Sequence, residues 1–99
     1  MRKIGDYVII RARDAGVHVG EFQCRLGREV LLYNARRIWS WEGAFDLNQL
    51  AVYGSLLPNK CKITCIVPEI EVLDACEVII CSKKAEQFFR TVKETIYEI

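Results

Sequence analysis

Val17-His18-Val19-Gly20-Glu21-Phe22-Gln23-Cys24-Arg25 resists being read as a strand with one buried face. If Val17 and Val19 point into a core, strict alternation sends Glu21, Gln23 and Arg25 the same way. If Phe22 and Cys24 point inward instead, His18 goes with them. A bulge at Gly20 resolves the conflict by letting both apolar pairs face a core, and it leaves His18 outside, beside the polar face. The other reading of His18 is a satisfied, half-buried histidine. A glycine at such a point bends a long strand around a corner, so this segment predicts a curved, β-rich fold.

The flanking sequence extends the pattern. Upstream, Asp6–Arg13 alternates Val8, Ile10 and Ala12 against Tyr7, Ile9, Arg11 and Arg13, and Asp14-Ala15-Gly16 turns the chain. Downstream, Leu26-Gly27 is a hairpin corner, followed by strands at Arg28–Tyr33 and Arg36–Trp41. Asp46 is placed to cap a helix with Gln49 at the third helical position, and Gly54 ends it. Further strands are predicted at Lys60–Val67, Glu69–Leu73 and Ala75–Cys81. Ser82 then caps a last helix in which Ala85, Phe88, Phe89, Val92 and Ile96 recur at helical spacing. The expected fold is α+β in one domain over 1–99: a small curved sheet or an SH3/Sm-like barrel, with helices at about 46–54 and 83–96.

Composition narrows the function. The 99 residues are 52% hydrophobic, enough for a real core, and 14 Lys+Arg stand against 13 Asp+Glu, too even for a coat on duplex DNA. No apolar run approaches the ~18 residues of a membrane span. Met1–Asp6 contains no apolar leader core, so a cytoplasmic protein is expected. Five cysteines, at 24, 61, 65, 76 and 81, make an odd set with no C-x-x-C pair, and His18 is the single histidine. Cys61 and Cys65, on one face of a strand, would lie about 13 Å apart, too far to share a zinc. Small buried apolar side chains are the expected role of the cysteines, and neither metal nor cofactor is expected. Without a Gly-rich phosphate loop or a nucleophile elbow, a binding protein is expected rather than an enzyme.

The chemistry concentrates in Tyr33-Asn34-Ala35-Arg36-Arg37-Ile38-Trp39-Ser40-Trp41-Glu42-Gly43-Ala44-Phe45. On a strand, Arg37, Trp39 and Trp41 share one face at about 6.6–6.8 Å per rung. A guanidinium beside two indoles can hold a phosphate and sandwich a base. Arg36, Tyr33, Asn34 and His18 complete the candidate set, with Asn34 reading a base edge. The same residue types also suit core packing under the following helix, or a protein interface.

The strings Ala15-Gly16-Val17-His18-Val19-Gly20 and Asn34-Ala35-Arg36-Arg37-Ile38-Trp39-Ser40-Trp41-Glu42-Gly43-Ala44 resemble a family of small bacteriophage proteins without a settled function. Leu47-Asn48-Gln49-Leu50-Ala51, Val67-Pro68-Glu69-Ile70 and Glu77-Val78-Ile79-Ile80-Cys81-Ser82 continue the pattern, which spans roughly residues 4 to 85. The resemblance implies a phage origin and expression in a bacterial cytoplasm, and no known catalytic site. A weaker, architectural similarity is to the first strands of Sm-like or SH3-like barrels. Together these suggest an anti-defence protein that sequesters a small nucleotide immune signal, of cyclic oligonucleotide or cyclic ADP-ribose type, without cleaving it. The alternatives are an interaction module that inhibits a host protein and an Sm-like binder of single-stranded nucleic acid. A homo-oligomer is expected, because a short domain leaves strand edges open.

Overall fold

The computed structural model describes residues 3–97. Met1 and Arg2, from the Met1–Asp6 stretch expected to lack an apolar leader core, and the last two residues of the expected 1–99 domain lie outside the described residues. The strands are β1 (Tyr7–Ala12), β2 (Gly16–Leu26), β3 (Glu29–Ser40), β4 (Lys62–Ile63), β5 (Val67–Val72) and β6 (Ala75–Ile80). The helices are α1 (Leu47–Tyr53) and α2 (Lys83–Thr91), with one 3-10 turn at Pro58–Lys60. All strands join one antiparallel sheet in the order β4-β3-β2-β1-β6, with β5 also on β3. The fold is thus α+β and β-rich, as the sequence predicts.

The conflict in β2 is resolved differently from the expected bulge at Gly20. Both faces of the sheet carry a core, so Val17 and Val19 pack on one and Phe22 on the other, while a second register shift, between Phe22 and Cys24, leaves Cys24 exposed. Val19 joins Tyr7, Ile9 and Ile38 beneath α1 and α2, with Leu50, Ala85 and Phe89 from the helices. Phe22 joins Val8, Ile10, Leu32, Ala35 and Val72 on the inner side of the curved sheet. Alternation therefore continues through Gly20, and the extra residue lies opposite, in β3. Val19 pairs with Arg36 and Glu21 with Tyr33, so Asn34 and Ala35 together face Gly20. Asn34 takes the left-handed conformation (φ 50°), which asparagine tolerates better than most residues. A Cβ on Gly20 would sit 3.0 Å from Ala35 Cα, so glycine is what lets the bulged strand close against β2.

The same bulge explains why β3 is one strand of 12 residues rather than the two expected. Its outer edge carries β5 along the first half, from Val30–Val72 to Ala35–Val67, and β4 along the second, at Ile38–Ile63. The expected strand Lys60–Val67 is accordingly broken, with Thr64–Ile66 passing over the bend. Pro68 sits inside β5, where an edge strand spares it the need for an N–H.

β5 and β6 follow one another yet occupy opposite sides of the sheet, β5 on β3 and β6 on β1. They are linked through Leu73 and Asp74, whose turn is tied to both neighbours by Ala75 N–H to Arg28 O (2.8 Å) and Arg13 N–H to Asp74 O (3.3 Å). β5 and β6 do not pair with each other, so the sheet curls without closing into a barrel.

Ser82 caps α2 by accepting from Ala85 N–H (3.0 Å) and ties it to α1 by donating to Val52 O (2.6 Å). The helix stops at Thr91, short of the expected 96, and Ile96 is exposed rather than part of its apolar face. Beyond it the chain lies beside β4, where Thr95 N–H donates to Ile63 O (2.8 Å).

Candidate functional site

Alternation places Arg36 and Ile38 on the helix side of β3 and Arg37 on the other. Arg36 is 4% exposed. Its Nε donates to Thr64 O (2.8 Å), and its Nη1 donates to Phe89 O (2.7 Å) and Val92 O (2.8 Å). The guanidinium thus caps the C-terminus of α2, where the helix dipole favours a cation, and burial pulls its pKa below the ordinary arginine value. Arg36 lines the cavity at the bend of the sheet described below, but these guanidinium donors are spent on the protein's own carbonyls.

Three expected ligand residues, Tyr33, Asn34 and Trp41, line neither that cavity nor the larger one beside it. The bulge at Asn34 reverses the side on which side chains before it emerge, so Tyr33 stands beside Glu21, on the face opposite Arg37. The Asn34 amide donates to Glu21 Oε2 (3.2 Å). Trp41 follows the end of β3 and is half-buried against the helical core, its indole N–H donating to Ala44 O (3.2 Å). The expected row of one guanidinium and two indoles is therefore reduced to Arg37 and Trp39. A register shift against β4 between Ile38 and Ser40 puts Trp39 on a further irregularity, and it is 72% exposed.

His18 pairs across the ladder with Arg37 and is 1% exposed, which corrects its expected place outside the sheet. Its Nε2 lies 2.9 Å from Ala15 O. A carbonyl only accepts, so Nε2 carries the proton, and Nδ1 of the neutral ring is an acceptor with no donor among the described residues. Burial first, and the charge of Arg37 second, hold the imidazole below its usual pKa, against the opposing hydrogen bond to Ala15.

His18 and Arg37 open on a cavity of about 220 Å³ at the bend of the sheet. Ala35, Val67 and Ile70 form its apolar walls, and Thr64 and Cys65 its rim. Thr64 is held by two bonds to Arg37: Arg37 N–H donates to Thr64 Oγ1 (2.8 Å) and Thr64 N–H to Arg37 O (3.0 Å). Thr64 also borders a second cavity of about 600 Å³, lined by Trp39, Lys62, Ile63 and the segment Thr95–Tyr97. Among the described residues neither lining contains a carboxylate, whereas both contain an exposed cation, Arg37 in one and Lys62 in the other. No carboxylate among the described residues pairs with Arg37, although Arg11 and Arg28 each have one and Arg90 has two.

Nothing in the sequence marked Lys62, Thr64 or Cys65, because their position depends on the break between β4 and β5. The cysteines differ from expectation: Cys61 is buried, but Cys24, Cys65 and Cys76 are exposed. Cys61 follows the 3-10 turn and Cys65 lies past β4, so they do not share a strand face. Burial pushes the half-buried Cys81 thiol up to about 12. Among the described residues, no three His, Cys, Asp or Glu side chains gather as a metal site, and no helix is long and apolar enough to cross a membrane.

Residues 5–89 match a family described as a domain of unknown function (DUF6948), and the chain belongs to that family. No curated protein and no solved structure matches it. The family match includes the walls of the smaller cavity, whereas the Thr95–Tyr97 wall of the larger one lies beyond it.

Proposed function

We propose that this protein binds a small nucleotide across the two adjoining cavities and holds it without cleaving it. The observation that carries this reading is the charge of the linings: two exposed cations and, among the described residues, no carboxylate, in a chain of net charge only +1. Arg37 supplies a planar partner for phosphate, and Trp39, across Thr64, supplies an exposed aromatic face for a base. The near-neutral whole favours a compact ligand with few phosphates over a long polymer. The resemblance to small phage proteins supports the biological half of the proposal: a phage-encoded anti-defence protein, acting in the bacterial cytoplasm, that sequesters a cyclic oligonucleotide or a cyclic ADP-ribose-type messenger. The open edges of β5 and β6 support assembly with further copies.

A thermal-shift panel of cyclic di- and trinucleotides and cyclic ADP-ribose isomers tests this. A ligand at 100 times its Kd stabilises by about 2.7 kcal/mol, and the ligand is expected back chemically intact. No shift with any member would contradict the reading.

A second reading, a surface that grips and inhibits a host protein, is favoured by the cluster of exposed Trp39, Ile96 and Tyr97 around the larger cavity. Capture of one host protein by the natural chain and not by Trp39→Ala is its signature. A shift with a mixed single strand alone would instead favour binding of single-stranded nucleic acid.

A further inference from the structure

His18, a buried residue that lines the smaller cavity, has one ring nitrogen without a partner among the described residues. His18 is 1% exposed and lines that cavity, and its only hydrogen bond among the described residues joins Nε2 to Ala15 O. Nδ1 is therefore an acceptor with no donor from the described residues, although buried polar atoms are normally satisfied. Thr64 Oγ1, the one hydroxyl among the described lining residues, is committed to Arg37 N–H and Cys65 O. The apolar walls, Ala35, Val67 and Ile70, suit a flat heteroaromatic ring better than a ribose, whose hydroxyls would go unpaired against them; the guanidinium of Arg36, also in the lining, is spent on protein carbonyls. At about 220 Å³ the cavity is below the ~300–1,000 Å³ of sites that enclose a whole drug-sized ligand, so it takes one ring of the ligand and leaves the rest outside.

We propose that this cavity is a base-reading subsite in which His18 Nδ1 accepts a hydrogen bond from the exocyclic amine of an amino-bearing nucleobase while Arg37 at the cavity holds the adjoining phosphate. The inference rests on the nucleotide-binding reading above and adds the class of base. It makes His18 a specificity determinant: a base lacking the amine leaves Nδ1 unpaired in a buried site, and such mismatches are penalised more heavily than missing apolar contacts.

The test compares two pairs of probes on the natural chain, by calorimetry and by the ¹⁵N shifts of the chain's single histidine. The first pair is AMP and purine riboside 5′-monophosphate, and the second is CMP and its counterpart without the amine. Each pair differs only in the amine. The amino-bearing member is expected to bind roughly tenfold tighter or more, and to move the Nδ1 resonance where its counterpart does not. In His18→Phe the preference is expected to vanish while the weaker affinity remains. The ligand-side comparison needs no substitution, so it stands even if that variant fails to fold. Equal binding within each pair, with Nδ1 unmoved, would overturn the base-reading role and leave nucleotide binding intact. Binding of none of the four probes, nor of the cyclic nucleotides, would overturn both.

Discussion

Arg36 and Arg37 carry the same side chain one residue apart, and alternation sends one guanidinium under α2 and the other to a cavity. Their substitutions are expected to separate cleanly. Arg36→Ala leaves the carbonyls of Thr64, Phe89 and Val92 without their donor. It is expected to cost at least about 3 kcal/mol in urea unfolding, whereas Arg37→Ala should stay within about 0.5 kcal/mol and lose ligand binding. The tryptophans divide similarly. Trp39→Ala is expected to cost under about 1 kcal/mol, and Trp41→Ala about 2–3 kcal/mol, part of the ~3–5 kcal/mol of a fully buried aromatic. His18 adds a pH dependence. Its folded pKa lies below the unfolded value of about 6.5, so as pH falls the unfolded chain takes up the proton first. Stability from this group is complete above about pH 6.5 and is lost as pH falls through the folded pKa. His18→Phe should flatten that part of a stability-versus-pH profile. The arginine–tryptophan stretch was legible as the chemically dense part of the chain. Which arginine turns inward was not, because the one-residue bulge at Asn34 fixes the faces.

At the scale of elements, that bulge and Gly20 form one device. Gly20→Ala would bring a methyl within 3.0 Å of Ala35 Cα and 3.1 Å of Tyr33 O, both backbone atoms with little room to give. A loss of about 1–3 kcal/mol is expected in thermal unfolding, and a loss under about 0.3 kcal/mol would show that β3 does not need the close approach. β1 and α1 were readable because their signals are local: alternation in Val8–Ile10–Ala12, and an N-cap at Asp46 that accepts from Gln49 N–H (2.9 Å). The single long β3 and the broken segment after Lys60 were not, since a bulge is set by the partner strand. The end of α2 was hidden for a similar reason, as its cap is a side chain 53 residues away.

On the scale of the whole molecule, two cores hold one curved sheet, and β5 and β6 part without pairing. The conflict within Val17–Arg25 correctly signalled curvature, but the assumption of a single core turned it into a bulge at the wrong residue. The unpaired edges lead us to expect species larger than a monomer in sedimentation at micromolar concentration, and a monomer alone would remove the oligomer from the proposal. The proposed function requires that the cation-lined bend take a nucleotide. Its most direct test is equilibrium binding of the cyclic nucleotide panel to the natural chain and to Arg37→Ala, with folding of both checked by the same melt. The expected result is a ligand that binds the natural chain and is lost by Arg37→Ala at unchanged stability. Undiminished binding to Arg37→Ala, or no binding to either protein, would contradict it.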